Sequence, residues 1–329
     1  MKKFLAAICA SALFFGAFPA CSDKKDGPPA DVAVAAIKGP SAIGMIKLMD
    51  DADGKKIQTN NFSFEIYPNA DEIVPKIVQG KIDIAAVPPN LSSVLYSSMQ
   101  GKIQVIAITT LGMMYVAENG ETINSLEDLR GKTVYAAFKG KSPEYDLNYI
   151  LKENGIDPEK DLVIEWKSEH SESVAAIAAN ENAIAVLPQP FAAIAQTANE
   201  NIRIALDLNH EWDEIQKKSG NPSMLITGVV VARAEFIDEN PGAISDFLER
   251  YKESVNYAIN NVGETAELVG KYGIFPEAVA QKAIPYCNMT FIEGQNMKEK
   301  LSGYLGILFG QNPNSVGGAL PNEDFYFIR

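Results

Sequence analysis

Short apolar runs alternate with amphipathic stretches along most of this chain. Val32–Ile37 and Thr133–Phe138 are two such runs, and continuous apolar segments of this length read as buried strands. Each is followed by the pattern Lys-Gly-x-Ser, in Lys38-Gly39-Pro40-Ser41 and Lys139-Gly140-Lys141-Ser142. Glycine permits a tight turn there, and serine is a helix cap. In the second case Ser142 as cap, Pro143 at the first helical position and Glu144 in the first turn predict a strong helix start. Each helix leads to a second apolar run that stops at proline, before Pro88-Pro89-Asn90 and at Pro188-Gln189-Pro190. Further strands are predicted over 103–109, 113–117, 162–167 and 228–232. A short capped helix is expected over Ser125–Gly131. Asn240-Pro241 opens a long helix to about Asn260, with Ile244, Phe247, Leu248, Tyr251 and Val255 on one stripe. Helices dominate the tail to about Phe309. Strand–helix–strand repetition of this kind predicts an α/β protein, its sheets mostly parallel with helices on both faces.

The chain also echoes itself. Val34–Ser41 resembles Tyr135–Ser142 at an offset of 101, and Ile82–Pro89 resembles Asn182–Gln189 at an offset of 100. Two echoes in the same order, at nearly one offset, predict two units of the same wiring. The second unit is inserted between backbone crossings near Thr110–Met114 and Ile226–Ala232. A double crossing makes a hinge. The expected division is a leader (1–20), a tether (21–31), the first part of one lobe (32–112), an inserted lobe (113–227), and a return crossing with C-terminal helices completing the first lobe (228–329).

The N-terminus changes the picture of where the chain works. Lys2 and Lys3 precede a nearly unbroken apolar stretch, Phe4–Phe18. That is too short for a bilayer span, which needs roughly 20 residues, and it has the form of a secretory leader. Phe18-Pro19-Ala20-Cys21 resembles a lipoprotein cleavage site, with Phe18 standing where leucine is commoner, so Cys21 is the expected lipidation site. Cys9 leaves with the leader, and Cys287 remains as a lone thiol in the folded body, without an internal disulfide. Ser22–Pro29 is polar and reads as a flexible tether.

Charge and composition narrow the chemistry. The net charge of −13 disfavours a nucleic-acid partner, because phosphate binding draws on lysine and arginine. Two histidines and three cysteines leave little for a zinc or iron–sulfur site; neither a metal nor a cofactor is expected.

In open parallel sheets, ligands bind beyond the carboxyl ends of the strands, where loops meet helix N-termini. Two facing lobes would bring four such loops to one cleft. The candidate ligand-binding residues are Lys38, Gly39, Pro40, Ser41 and Asn90 with Thr110 from one lobe, and Lys141, Ser142, Tyr145, His170, Gln189 and Phe191 from the other. No catalytic residue is assigned.

The order of motifs resembles the substrate-binding lipoproteins of ABC importers with the type II periplasmic-binding-protein fold, in the group that includes sulfonate, nitrate, taurine and thiamine-precursor binders. The resemblance rests on Lys38-Gly39-Pro40 after the first strand, Asp71-Glu72-Ile73-Val74 before Gly80–Ala85, Asp128–Thr133, and Val231–Phe236 followed by Asn240-Pro241. It implies an exported, lipid-anchored, monomeric protein. It also implies capture of a small polar or anionic solute by hinge closure, and delivery to a membrane permease driven by a separate ATPase. A planar heterocycle such as a thiamine precursor, stacked on Tyr145, Phe191 or Tyr67, is the alternative ligand. A ligand sensor uncoupled from transport is the alternative role.

Overall fold

A computed structural model describes residues 29–329; Cys21 and the leader lie outside the described residues. The first unit runs β1 (Asp31–Ile37), α1 (Pro40–Gly44), α2 (Ile46–Asp53), β2 (Asn61–Tyr67), α3 (Ala70–Val78), β3 (Ile84–Val87), α4 (Pro89–Ser98) and β4 (Ile103–Leu111). The second runs β5 (Met114–Asn119), β6 (Thr133–Ala137), α5 (Ser142–Glu153), β7 (Val163–Lys167), α6 (His170–Ala179), β8 (Ile184–Pro188), α7 (Phe191–Ala198), β9 (Ile202–Asp207) and α8 (Leu208–Ser219). The chain then returns through β10 (Ile226–Arg233), α9 (Ala234–Glu239), α10 (Pro241–Asn260), α11 (Val262–Lys271), α12 (Glu277–Ala283), β11 (Met289–Ile292) and α13 (Gly294–Gln311).

These strands form two sheets, ordered β11-β4-β10-β3-β1-β2 and β7-β6-β8-β5-β9. In the first, β1 to β4 run one way and β10 and β11 the other; in the second, only β5 opposes its neighbours. The opposing central strand in each sheet, β10 or β5, adjoins a crossing. The registers match too. Val34 lies opposite Phe64 and Ile84, and Val134 lies opposite Ile164 and Ile184. Backbone pairing thus relates the units by a constant offset of 100, which corrects the 101 read from the first echo. The nitrogen of Lys38 donates to the Tyr67 carbonyl at 2.8 Å, and that of Phe138 to the Lys167 carbonyl at 3.1 Å. Phe138, not Lys139, therefore stands where Lys38 does. The Lys-Gly-x-Ser match had aligned the turns, whereas the second unit carries two more residues between strand and helix.

The α/β expectation is met, with two departures. β11 is a short edge strand on β4 inside the region read as helical; four residues are too few to show a period. The segment read as a capped helix near Ser125 is a 3-10 turn over Leu126–Leu129, closed by a reciprocal Ser125–Asp128 capping box.

One apolar core runs from the first sheet (Val105, Ile108) through α13 (Tyr304, Leu305, Leu308) into α5 (Leu147) and the second sheet (Val116, Val134). A second core packs α1, α2 and α10 to α12 on the other face of the first sheet, and a third packs α6 and α7 on the second. Among the described residues, no helix is long and apolar enough to cross a membrane.

Candidate functional site

The loop after β1 meets the end of β4. α1 starts at Pro40 with Gly39 as its extended cap, which places Ser41 inside the first turn. The Ser41 Oγ lies 3.3 Å from Thr109 Oγ1 and 3.2 Å from Thr110 Oγ1. Both threonines are buried. The Tyr251 hydroxyl donates to the Ser41 carbonyl at 3.0 Å, which holds the turn from behind. The space in front is kept by Gly228: a Cβ there would stand 2.6 Å from Ser41 Oγ and 3.0 Å from Thr110 Oγ1. Three hydroxyls, each one donor and two lone pairs, therefore converge at the carboxyl end of the first sheet. Of the candidate residues, Ser41 and Thr110 stand together here; Gly228 was missed, since a glycine inside an apolar strand gives no sign of what approaches it.

The corresponding edge of the second sheet is aromatic. Phe138 follows β6, His170 opens α6 after β7, and Phe191 opens α7 after β8. The imidazole meets Phe138 edge-on at 4.9 Å between centroids and Phe191 in a tilted contact at 5.0 Å. All three side chains are part-buried. Burial pushes the His170 pKa down to about 4, so the imidazole is neutral at physiological pH. Its Nδ1 is shielded from solvent and has no hydrogen-bond partner among the described residues. Phe138 was missed at the sequence level because it completes an apolar run and reads as strand.

The other candidates are placed differently. Lys38 donates from Nζ to the Gly273 carbonyl at 3.1 Å. Lys141 caps α5, and its Nζ lies 4.0 Å from Asp71 Oδ2, opposite charges brought across from the start of α3. Ser142 is the first residue of α5 rather than its cap, and no side chain caps that helix, which corrects the sequence reading; the second loop is longer, and α5 begins one position later in the motif than α1 does. The Asn312 side chain donates to the Tyr145 hydroxyl at 2.9 Å, and Gln311 donates to the Tyr145 carbonyl at 2.9 Å, so this tyrosine is tied to the end of α13. Asn90 reaches the Ser315 carbonyl at 3.4 Å. Gln189 is buried and accepts from the Ala193 nitrogen at 3.3 Å, an internal cap for α7. Tyr67 is engaged by Glu65 and Lys76.

Side-chain contacts bridge the two units. Lys141 nears Asp71, Tyr145 is held by Asn312, and Lys282 of α12 reaches Thr197 of α7 at 3.4 Å. Two surface pockets lie elsewhere, one between α2 and α10 beside Lys47, Asp51, Arg250 and Tyr257, the other after α5 beside Gly155 and Asp157. Among the described residues no group of three His, Cys, Asp or Glu could hold a metal ion.

Two sheets of matching order, each flanked by helices, define a two-lobe α/β fold of the periplasmic-binding-protein kind. Residues 54–258 match a family described as ABC transporter, phosphonate, periplasmic substrate-binding protein, and the chain belongs to that family. Solved structures agree on the fold. An ABC transporter protein of Parabacteroides distasonis superposes with a TM-score of 0.74 at 22% identity, covering 90% of this chain and 98% of that one. The periplasmic aliphatic sulphonate binding protein SsuA of Escherichia coli gives 0.69 at 15%, covering 91% and 92%. The periplasmic nitrate-binding protein NrtA of Synechocystis gives 0.59 at 15%, covering 89% and 83%. No curated protein matches the chain. The protein is the solute-binding component of an ABC importer and is exported, as its family implies.

Proposed function

We propose that this protein captures a small polar solute between the carboxyl edges of its two sheets, closes on it about the crossings at 112–113 and 220–225, and presents it to a permease powered by a separate ATPase. The lobes are 32–112 with 228–329, and 113–227. The chain acts as a monomer, makes and breaks no bond, and is held at the membrane by lipid on Cys21.

The meeting of Ser41, Thr109 and Thr110 in one unit, and of Phe138, His170 and Phe191 in the other, carries this reading. The hydroxyls can exchange their mutual bonds for bonds to a ligand without leaving a buried polar group unpaired. A solute touching both edges favours the closed form by its differential contacts there. Neither edge offers an activated nucleophile, since the one free thiol among the described residues, Cys287, is buried and its pKa pushed up to about 12 by that burial.

Thermal shift against a panel of phosphonates, sulfonates, nitrate and neutral heterocycles tests the site. A bound solute raises the melting temperature because it binds only the folded state. Thr110→Val and Ser41→Ala should abolish the shift and leave the unliganded melting temperature within a few degrees. Full shifts in both variants would place the site elsewhere. Intact mass of the membrane fraction tests the anchor: the acylated mass beginning at Cys21 is expected, and an unmodified chain in the soluble fraction rejects it.

A further inference from the structure

Resting on the hinge closure proposed above, we infer that the pivot of this hinge is the single link between Gly112 and Met113, and that Asn288 is the positioning residue that sets it. The backbone changes partners at that link. Up to Gly112 the first crossing is held by the first sheet and its margin. The Leu111 nitrogen donates to the carbonyl of Asn288, just before β11, at 3.0 Å, and the Asn288 side-chain amide donates back to the Gly112 carbonyl at 2.6 Å. From β10 on the other side, the Thr227 hydroxyl donates to the Leu111 carbonyl at 2.7 Å. One residue later the partners belong to the inserted unit. The Met113 carbonyl accepts from the Gln189 nitrogen at 3.0 Å, and Met114 pairs with Pro188. Gly112 and Met113 lie in neither β4 nor β5. The peptide between them is planar, so a rotation of one lobe on the other is concentrated in the two dihedrals that flank it.

The second crossing is built differently. Residues 221–225 belong to no helix or strand, and the nitrogens of Asn221 and Ser223 are met by the neighbouring side chains of Ser219 and Asn221. Such a span can follow a rotation without defining its axis.

Asn288 is suited to the role. Its φ is 47°, a left-handed conformation in which asparagine is several-fold enriched among non-glycine residues. In it the residue presents its carbonyl and its side-chain amide to successive residues of the crossing. The segment that carries it also touches the inserted unit. Before it, the Tyr286 carbonyl accepts from the Tyr115 hydroxyl of β5 at 2.9 Å, and α12 packs on α7, where Ala193 is buried among first-unit residues of the second core. After it, Met289 pairs with Thr110. One short stretch of chain thus joins the inserted unit, the pivot and the hydroxyl cluster, so that the angle between the lobes and the placing of Thr110 are set together.

Hydrogen exchange by mass spectrometry and small-angle scattering, both on the full chain without added solute, decide this. Asn288→Gly keeps the left-handed backbone and removes the amide that grips Gly112. Thr227→Val removes the opposite grip, keeps the branched side chain, and carries the test alone if the first variant does not fold. Each should speed exchange at the Leu111 amide about tenfold, leave β5 and β8 unchanged, and enlarge the radius of gyration at a retained melting temperature. Faster exchange spread equally over β5 and β8 would make these contacts structural only and overturn the inference. Unchanged exchange at Leu111, or faster exchange there with the parent's radius of gyration, overturns it as well. None of these results removes the cleft, which stands or falls on the thermal shift in Ser41→Ala and Thr110→Val.

Discussion

The Tyr304 hydroxyl stands 2.9 Å from a carboxylate oxygen of Asp146, and both residues are buried. Asp146 belongs to α5 of the inserted unit and Tyr304 to α13, which also packs on α4 and β4 of the other. Trp212 of α8 leans on the same tyrosine ring at 5.7 Å. A polar contact inside an apolar seam thus joins helices of the two units beside the core they share.

The burial of Asp146 makes stability depend on pH. Burial pushes the Asp146 carboxyl up to about 8, the Tyr304 hydrogen bond only partly opposing it. The folded protein therefore keeps a proton that the unfolded chain loses near 3.8. Its contribution is full below the unfolded value and is lost as pH rises through the folded one. Urea unfolding should show stability falling between about pH 4 and pH 8. Asp146→Asn should flatten that slope and exceed the parent at pH 9 by on the order of 3 kcal/mol. An unchanged slope in the variant would assign the proton to another group.

Glu118 gives the opposite sign. Burial alone would raise its pKa, but hydrogen bonds from Thr122, Ile123 and Arg203 outweigh that and hold it below 4.5. Thr122 donates from its nitrogen at 2.8 Å and its hydroxyl at 2.5 Å, Ile123 at 3.1 Å and Arg203 Nη2 at 2.8 Å. The contribution is present above the unfolded value and lost as pH falls through the folded one. Glu118→Gln should cost about 2 kcal/mol at pH 7 and lessen the acid sensitivity of unfolding, read by denaturation at pH 3.5 and 7.

Gly228→Ala tests the space before the hydroxyl cluster. The added carbon would meet Ser41 Oγ at 2.6 Å and Thr110 Oγ1 at 3.0 Å, forcing them apart. We expect a loss of about 1–3 kcal/mol, seen as a lower melting temperature, together with loss of the ligand-induced shift. A variant that binds as the parent does would show the cluster to be remote from the ligand.

Gly112→Ala tests the crossing. A Cβ there would come 2.5 Å from Asn209 Oδ1 and 2.6 Å from a Leu225 methyl; Leu225 lies in the return crossing just before β10, and Asn209 in the first turn of α8. The single variant should be destabilised by about 1–3 kcal/mol. Adding Asn209→Ala should recover part of that loss, because the two positions are in contact and their effects do not add. Small-angle scattering with and without ligand would show whether closure is impaired.

Much of this architecture was legible residue by residue. Val32–Ile37 and Thr133–Phe138 are apolar at every position but the first of the second run, and each is followed by a turn residue and a helix start, so strand, loop and helix followed from local pattern. The helix from Pro241 to Asn260 was readable from its proline start and apolar stripe. The inner repeat was visible because buried strands accept few residue types. Ser41, Thr110, His170 and Phe191 were singled out because they sit where such strands end.

What could not be read is what depends on which atoms meet. Nothing local distinguishes Phe138 from another strand residue; its left-handed backbone and its contact with His170 exist only once β6, β7 and β8 lie side by side. Nothing local ties Lys38 to Gly273 or Asn312 to Tyr145, partners separated by 235 and 167 residues. The sequence by itself determined the order of strands and helices, the doubled wiring and the positions of the loops, because these follow from short-range preference and from which side chains avoid water. Only the tertiary structure decided which loop residues face one another, which charges are already satisfied and which imidazole nitrogen is left without a partner, because those are set by long-range packing that no neighbouring residue encodes.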